Sequence, residues 1–324
     1  MRLKSLLLAA GIGLWTAATA LLPPANAATS TASAEKVTIM LDWFVNPDHA
    51  PLVIAKAKGF FADEGLDVDL QAPADPNDPP KLVAAGKADL AVSYQPQLHL
   101  QAAEGLPVVR VGTLVATPLN SLVALKGGPI ASLKDLKGRK IGYSVGGFED
   151  AVLGAMLESA GLKLSDVELV NINFSLSPAI YAGQVDAVIG AFRNFELNQM
   201  DLAGKPGIAF YPEENGVPAY DELILIARKD RANAPALKKV LAASERAVQY
   251  ILNHPTEAWD AFVKAYPELN DDLNKRAWAD TLPRLALRPA ALDSGRYQRF
   301  AEFLKQRGLI KDILPVEQYA VAVR

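Results

Sequence analysis

Two stretches of the chain align without a gap at an offset of 97 residues, LVAAGKADLAVSYQPQ (82–97) and AIYAGQVDAVIGAFRN (179–194). Each reads as a helix end, an Ala-Gly turn, an aspartate and a short apolar strand. Each also sits at a similar point in its own run of strands and helices, and that restricts the fold. Ahead of the first copy, Val37, Ile39 and Leu41 alternate as in a strand. Residues 50–61 read as a helix, and Gly65 turns the chain into a second strand, LDVDL. Asp78-Pro79-Pro80 is a helix start, with Asp as N-cap and Pro at the first helical position. KIGYSV and its helix precede the second copy. Strand, helix, strand in repetition gives an α/β layer with a largely parallel sheet, here in two similar lobes.

The stretches LVATPLNSLVAL (114–125) and YDELILIAR (220–228) read as crossings between the lobes. Lobe 1 then comprises 36–117 plus 221–324, and lobe 2 comprises 118–220. Helical patterns over roughly 235–253, 256–265, 270–279 and 293–307 follow the second crossing. Two crossing strands supply a hinge, so the chain reads as a clamp with a ligand cleft between its lobes. Ligands of open parallel sheets bind beyond the carboxyl ends of strands. That puts Tyr94 and Gln95 at the cleft from one lobe, and Phe192, Asn194 and Glu196 from the other.

Composition removes several function classes. The 324 residues contain no cysteine, which excludes disulfides, thiolate metal sites, a cysteine nucleophile and a lipid anchor on an N-terminal Cys. The three histidines, 49, 99 and 254, form no zinc motif, and neither metal nor cofactor is expected. Residues 1–27 read as a signal peptide: Arg2 and Lys4, an apolar run from Leu6 to Leu14, Pro23-Pro24 and the cleavage site Ala25-Asn26-Ala27. The expected destination is the periplasm, without lipidation. Of 33 Lys and Arg residues, two fall in that segment; 31 remain against 36 acidic residues, a net charge of −5. With no basic tract, nucleic acid has no electrostatic footprint here.

LDWFVNPDH (41–49) ends the first strand and opens a helix, gathering Trp43, Asn46 and His49. In KIGYSVGGFEDAVLGAML a Gly146-Gly147 turn and Phe148 lead into a helix whose N-terminus would favour an anion. Glu149 and Asp150 in its first turn already complement the dipole and oppose one. No GxxxxGK[ST] pattern is present for nucleotide hydrolysis. The balance favours a neutral or weakly basic ligand. Trp43, Tyr94, Phe148 and Phe192 offer flat faces, and Asn46, Gln95 and Asn194 both donate and accept. Glu196 is a bidentate acceptor, suited to charge-assisted bonds with an amino-heterocycle. The competing readings are a core role for Trp43 and a solvated helix face for Glu196. His49 as a general base lacks an accompanying nucleophile motif such as GxSxG.

At these residues the chain resembles the thiamine-pyrimidine-precursor-binding proteins, type II periplasmic binding proteins of ATP-driven (ABC) importers. The resemblance covers most of the chain after residue 27. It is clearest in LDWFVNPDHAPLVIAKAKGFFADEGLDVDL, KLVAAGKADLAVSYQPQ, DLKGRKIGYSVGG and GAFRNFELNQM. The W-x-x-N-x-x-H spacing is shared with a fungal enzyme that makes the thiamine pyrimidine. By that pattern Trp43, Asn46 and His49 fall on pocket positions, His49 on the enzyme's reactive histidine. Gly146, Gly147, Phe148 and Glu196 fall on ring-binding positions. The enzyme's cysteine cluster is replaced here by ENGVPAYDEL. The resemblance therefore implies a binding protein rather than an enzyme, with His49 a pocket contact. It would be a monomer that holds a hydroxymethyl- or formylamino-type pyrimidine and delivers it to a permease and ATPase. Relatives of the same fold for sulfonates or nitrate, a synthase-like enzyme and a sensory receptor subunit remain as alternatives.

Overall fold

The computed structural model describes residues 33–323, so the expected signal peptide lies outside the described residues. Ten strands form two five-stranded sheets of matching design. The first sheet holds β1 (Glu35–Met40), β2 (Leu66–Gln71), β3 (Leu90–Ser93) and β4 (Val108–Val115). The second holds β5 (Asn120–Leu125), β6 (Lys140–Tyr143), β7 (Glu168–Asn171), β8 (Ala187–Phe192) and β9 (Gly207–Phe210). The last strand, β10 (Leu223–Arg228), returns to the first sheet. The spatial orders are β2-β1-β3-β10-β4 and β7-β6-β8-β5-β9. In each, three strands run parallel, and one strand arriving by a crossing lies antiparallel beside the third.

The 97-residue repeat is a repeat of bonding as well as of sequence. Helix Pro79–Ala84 corresponds to helix Leu176–Tyr181, and each ends at a glycine with left-handed φ, Gly86 at 70° and Gly183 at 67°. A side chain there would strain the turn, so glycine is the residue the geometry asks for. The aspartates that follow do the same work in both sheets. Asp89 accepts the Thr38 N–H at 2.9 Å and donates its own N–H to the Thr38 carbonyl. Asp186 accepts the Lys140 N–H at 2.8 Å and donates likewise to the Lys140 carbonyl. Each aspartate thus fixes its third strand against its first. The expected N-cap role of Asp78 is not seen: its side chain makes no capping bond and faces Lys81 at 3.5 Å instead.

The expected helix over 50–61 is two helices, Ala50–Ala57 and Phe60–Asp63, because Gly59 between them takes φ 78°. The C-terminal helices run Pro235–Asn253, Pro255–Ala265, Asp272–Thr281 and Ser294–Gln306, within two residues of the sequence pattern. The first buries Leu237, Val240, Leu241, Val248 and Ile251 in one core with Leu52, Val53 and Ile54. Each such side chain contributes roughly 1.5–3 kcal/mol by leaving water. Beyond the helices, fully buried Arg110 on β4 draws the tail back onto the first sheet. Its guanidinium donates to the carbonyls of Pro289, Ala291 and Val321. No helix among the described residues is long and apolar enough to cross a membrane.

The crossing read over 114–125 is the end of β4, a link at 116–119 and the start of β5. The second crossing reaches β10 through Asp221 and Glu222, which are both buried. Glu222 accepts the N–H groups of Leu119 at 2.6 Å and Asn120 at 2.9 Å, tying one crossing to the other. Asp221 accepts from Thr113 at 2.9 Å and from Arg296, while its N–H donates to Gln95 Oε1 at 2.8 Å. Both crossings are therefore held from the first sheet's side.

Candidate functional site

Strands β1, β3, β6 and β8 end toward one pocket, and the antiparallel β5 begins there. Its wall takes Asp42, Trp43, Asn46 and Asp48 from the loop after β1, Tyr94 after β3, and Phe148 and Glu149 after β6. Asn120 opens β5, Leu176 opens a helix, and Gly190, Phe192, Phe195 and Glu196 come from the end of β8. The space they enclose is about 510 Å³, open mouth included. Of the residues expected from the sequence, six share this wall: Trp43, Asn46, Tyr94, Phe148, Phe192 and Glu196.

The wall's chemistry is set by buried acids. Glu149 and Glu196 open the helices Glu149–Ser159 and Glu196–Leu202. Glu149 accepts the Ser144 N–H at 2.7 Å, and Glu196 accepts the Phe192 N–H at 2.6 Å. Despite these bonds, burial pushes both carboxyls up to about 8. Burial likewise raises Glu222, behind Asn120, to about 7 and Asp48 to about 6. Loss of hydration disfavours the charged form, and the hydrogen bonds received only partly offset that. At neutral pH Glu149 and Glu196 are therefore mostly protonated, each able to donate as well as accept. Among the described residues, no lysine or arginine lines the pocket. An anion entering there would leave its hydration without a charged partner.

Gly190 makes room for this arrangement. Its φ is 93°, and a Cβ at that position would lie 2.6 Å from the Glu149 carboxyl carbon. The Gly190 N–H donates to Asn120 Oδ1 at 2.9 Å, leaving the buried Asn120 Nδ2 without a protein partner. One free amide donor and two glutamic acids thus surround the same space.

The aromatic residues divide into two sets. Tyr94 and Phe148 stack on each other, centroids 5.2 Å apart and planes 23° apart, which leaves no slot for a ring between them. Trp43 is partly exposed and stands edge-on to Phe174 at 4.6 Å. It lines the pocket, as do Phe192 and Phe195.

Five expected residues lie outside this wall. His49 is fully buried, and both its ring nitrogens are engaged. Nδ1 accepts the Asn46 N–H at 3.2 Å, so Nε2 carries the proton and donates to Asp42 at 2.8 Å. The other Asp42 oxygen accepts from the Tyr94 hydroxyl at 2.8 Å. His49 is thus a support behind the wall, not the pocket contact expected from its spacing. Gln95 spends its carbonyl on Asp221 and its amide on His99, which ties it to the crossing. The Gly146 N–H donates to Asn77 Oδ1 at 3.0 Å, and Gly147 takes φ 81° in the same turn. Asn194 donates to Asp48 at 2.6 Å and to Thr281 at 2.8 Å. These bonds join elements of one sheet to elements of the other across the pocket's rim.

Asp42, Asp48, Asn120, Leu176 and Gly190 also line the wall and are not among the residues expected from the sequence, where Glu149 enters only against the helix dipole. Asp42 and Asp48 stood within LDWFVNPDH, and two more acids in that motif were the available signal. Asn120 and Gly190 gave none, because they meet only when β5 pairs with β8.

Known proteins resemble this chain in sequence and in fold. Residues 46–258 match the family model described as NMT1/THI5 like. A Haemophilus influenzae protein named as a thiamine biosynthesis protein is 59% identical, over 89% of this chain and 92% of its own. The formylaminopyrimidine-binding protein of Halalkalibacterium halodurans is 36% identical, over 79% of this chain and 78% of its own. A Legionella pneumophila protein named 4-amino-5-hydroxymethyl-2-methylpyrimidine phosphate synthase is 30% identical, over 76% of this chain and 79% of its own. Among solved structures, the alkanesulfonate-binding protein SsuA from Xanthomonas axonopodis pv. citri, bound to MOPS, superposes with a TM-score of 0.71. That match covers 89% of this chain and 99% of the other at 16% identity, a likeness of fold: that of the periplasmic binding proteins.

Proposed function

The chain belongs to the NMT1/THI5-like family, and on that premise we propose that it is the substrate-binding component of an ABC importer. Its ligand is an aminopyrimidine of the thiamine-precursor class, of the hydroxymethyl or formylamino type. The observation that carries this reading is the pair of buried acids, Glu149 and Glu196, beside the aromatic side chains of Trp43, Phe192 and Phe195, with no cation among the described residues of the wall. An aminopyrimidine carries N–H donors and a ring-nitrogen acceptor side by side. A carboxyl group that both donates and accepts matches that edge with two parallel bonds. A sulfonate or nitrate would need cationic partners instead.

In this reading the lobes 36–117 with 221–324 and 118–220 close about the two crossings, and the ligand stabilises the closed form. The protein acts in the periplasm as a monomer and passes its ligand to a permease and ATPase. It is a carrier and not a synthase: His49, the residue matching the reactive histidine, has both nitrogens occupied and no exposed surface.

Isothermal calorimetry decides between the readings. Hydroxymethyl- and formylaminomethyl-pyrimidines should bind with micromolar or tighter affinity, while an alkanesulfonate and nitrate should give no heat. Binding of the sulfonate alone would overturn the ligand assignment. A covalently altered His49 in the mass spectrum, after incubation with iron and pyridoxal phosphate, would overturn the assignment as a carrier.

A further inference from the structure

The pocket does not end at Glu196. A second concavity begins on the other side of Trp43, and Trp43, Asn46, Leu176, Phe195 and Glu196 belong to both walls. Its outer rim is aromatic: Phe44 and Phe174 lie 4.8 Å apart with planes tilted 44°, and Leu269 faces them. Phe44 is 54% exposed, a large apolar face left in water at the mouth of an otherwise well-packed chain. At the inner end Asn274 is 4% exposed. Its Nδ2 donates to Asp271 at 3.0 Å, which orients the amide and leaves Oδ1 buried in the wall with no partner. A buried acceptor without a donor is destabilising, so that oxygen is a position for a ligand's N–H or O–H. Glu196 is the one ionisable group in this wall.

We infer that this outer chamber is a second subsite, taking a neutral, flat or apolar arm with an N–H donor that extends from the ring held inside. This rests on the reading of the inner pocket as an aminopyrimidine site, and adds that the site accepts rings bearing arms larger than formylaminomethyl, with an apolar end. The arm's amide N–H reaches Asn274 Oδ1, and its apolar end covers Phe44 and Phe174. An anionic arm is rejected, since it would give up its hydration and meet no cation among the described residues of this wall. The inner pocket reads the heterocycle, and the outer one selects among its derivatives by charge and shape.

Three probes test this by calorimetry: 4-amino-5-hydroxymethyl-2-methylpyrimidine, the same ring with a benzamidomethyl arm, and the same ring with a phosphorylated hydroxymethyl. The benzamide should bind the wild type about tenfold tighter than the hydroxymethyl compound, and the phosphate about tenfold weaker. Phe44→Ala, at an exposed position that folding does not depend on, should remove most of the benzamide's advantage. It should leave the hydroxymethyl compound within about twofold. Asn274→Leu, checked for folding by urea denaturation, should act the same way. If the hydroxymethyl compound fails to bind the wild type, the inner-pocket reading falls, and this one with it. If that compound binds but the benzamide gains nothing, or gains equally in Phe44→Ala, the outer subsite alone is refuted.

Discussion

Replacing Glu149 with glutamine should change how the ligand-free protein's stability varies with pH, by an amount set by where the carboxyl sits. Glu149 is 3% exposed, and burial carries its pKa from 4.5 to about 8 against the pull of its backbone hydrogen bonds. Between those values the folded chain keeps a proton that the unfolded chain has released. Wherever the unfolded state binds fewer protons, stability falls as pH rises. The wild type should therefore lose stability through this window and stop losing it above about pH 8. Each unit crossed costs about 1.36 kcal/mol, so the loss between about pH 5 and pH 7 is on the order of 3 kcal/mol. Glutamine keeps an acceptor for the Ser144 N–H and a donor in place of the acid proton, but it does not titrate. Urea unfolding of both proteins, followed by tryptophan fluorescence at several pH values, gives the difference directly. Glu196, Glu222 and Asp48 also titrate in both proteins and largely cancel. The variant's stability relative to wild type should climb by about 3 kcal/mol from about pH 5 to pH 7. Parallel curves would mean that Glu149 is ionised and solvated at neutral pH, and the description of the wall as a donor surface would fail.

Glu196→Leu, which removes both the donor and the acceptor of a neutral carboxyl, should weaken aminopyrimidine binding by about 1–3 kcal/mol, the range for leaving a partner unsatisfied, read as Kd by calorimetry; wild-type affinity would free Glu196 of any ligand role. Affinity in the wild type should hold from neutral pH to about 8 and then fall about tenfold per unit for each of the two carboxyls whose proton the complex retains. A profile still level well above that point would contradict it. Gly190→Ala should cost both folding and binding, since φ 93° strains any side chain and its Cβ meets the Glu149 carboxyl in the pocket wall. Comparing Kd with urea midpoint separates the two effects. Asp221→Asn keeps the N–H bond to Gln95 but weakens the pair with Arg296. Stability should drop by about 1–3 kcal/mol, with ligand affinity reduced less than stability.

The two lobes were legible because their design repeats in the chain. A glycine that must turn left-handed, an aspartate at fixed distance behind it and a run of apolar strand residues recur at one offset, and each has a local cause. The wall residues contributed by those strand ends, Tyr94, Phe192 and Glu196, were legible for the same reason. Asn120 and Gly190 were not, because their neighbours lie about 70 residues away on a strand that reaches the sheet from the other lobe. His49 shows the opposite case. Its spacing marked the right loop, but only the tertiary structure shows that Asn46 and Asp42 take both its nitrogens. The break at Gly59 was missed because the apolar pattern runs through it unchanged, while the turn is a property of one φ angle.

The matching strand orders of the two sheets also dictate when each can exist. The second sheet uses only residues between 120 and 210, so all its strands are present once that much chain has emerged. The first sheet has β4 attached solely through β10, and β10 ends at residue 228. Until then the sheet β2-β1-β3 has a second open edge, at β3, and β4 has no partner strand. The lobe that begins the protein is thus the last to be completed. Through that interval the run VVRVGTLV, buried at every position in the finished fold, must be kept from pairing with other chains.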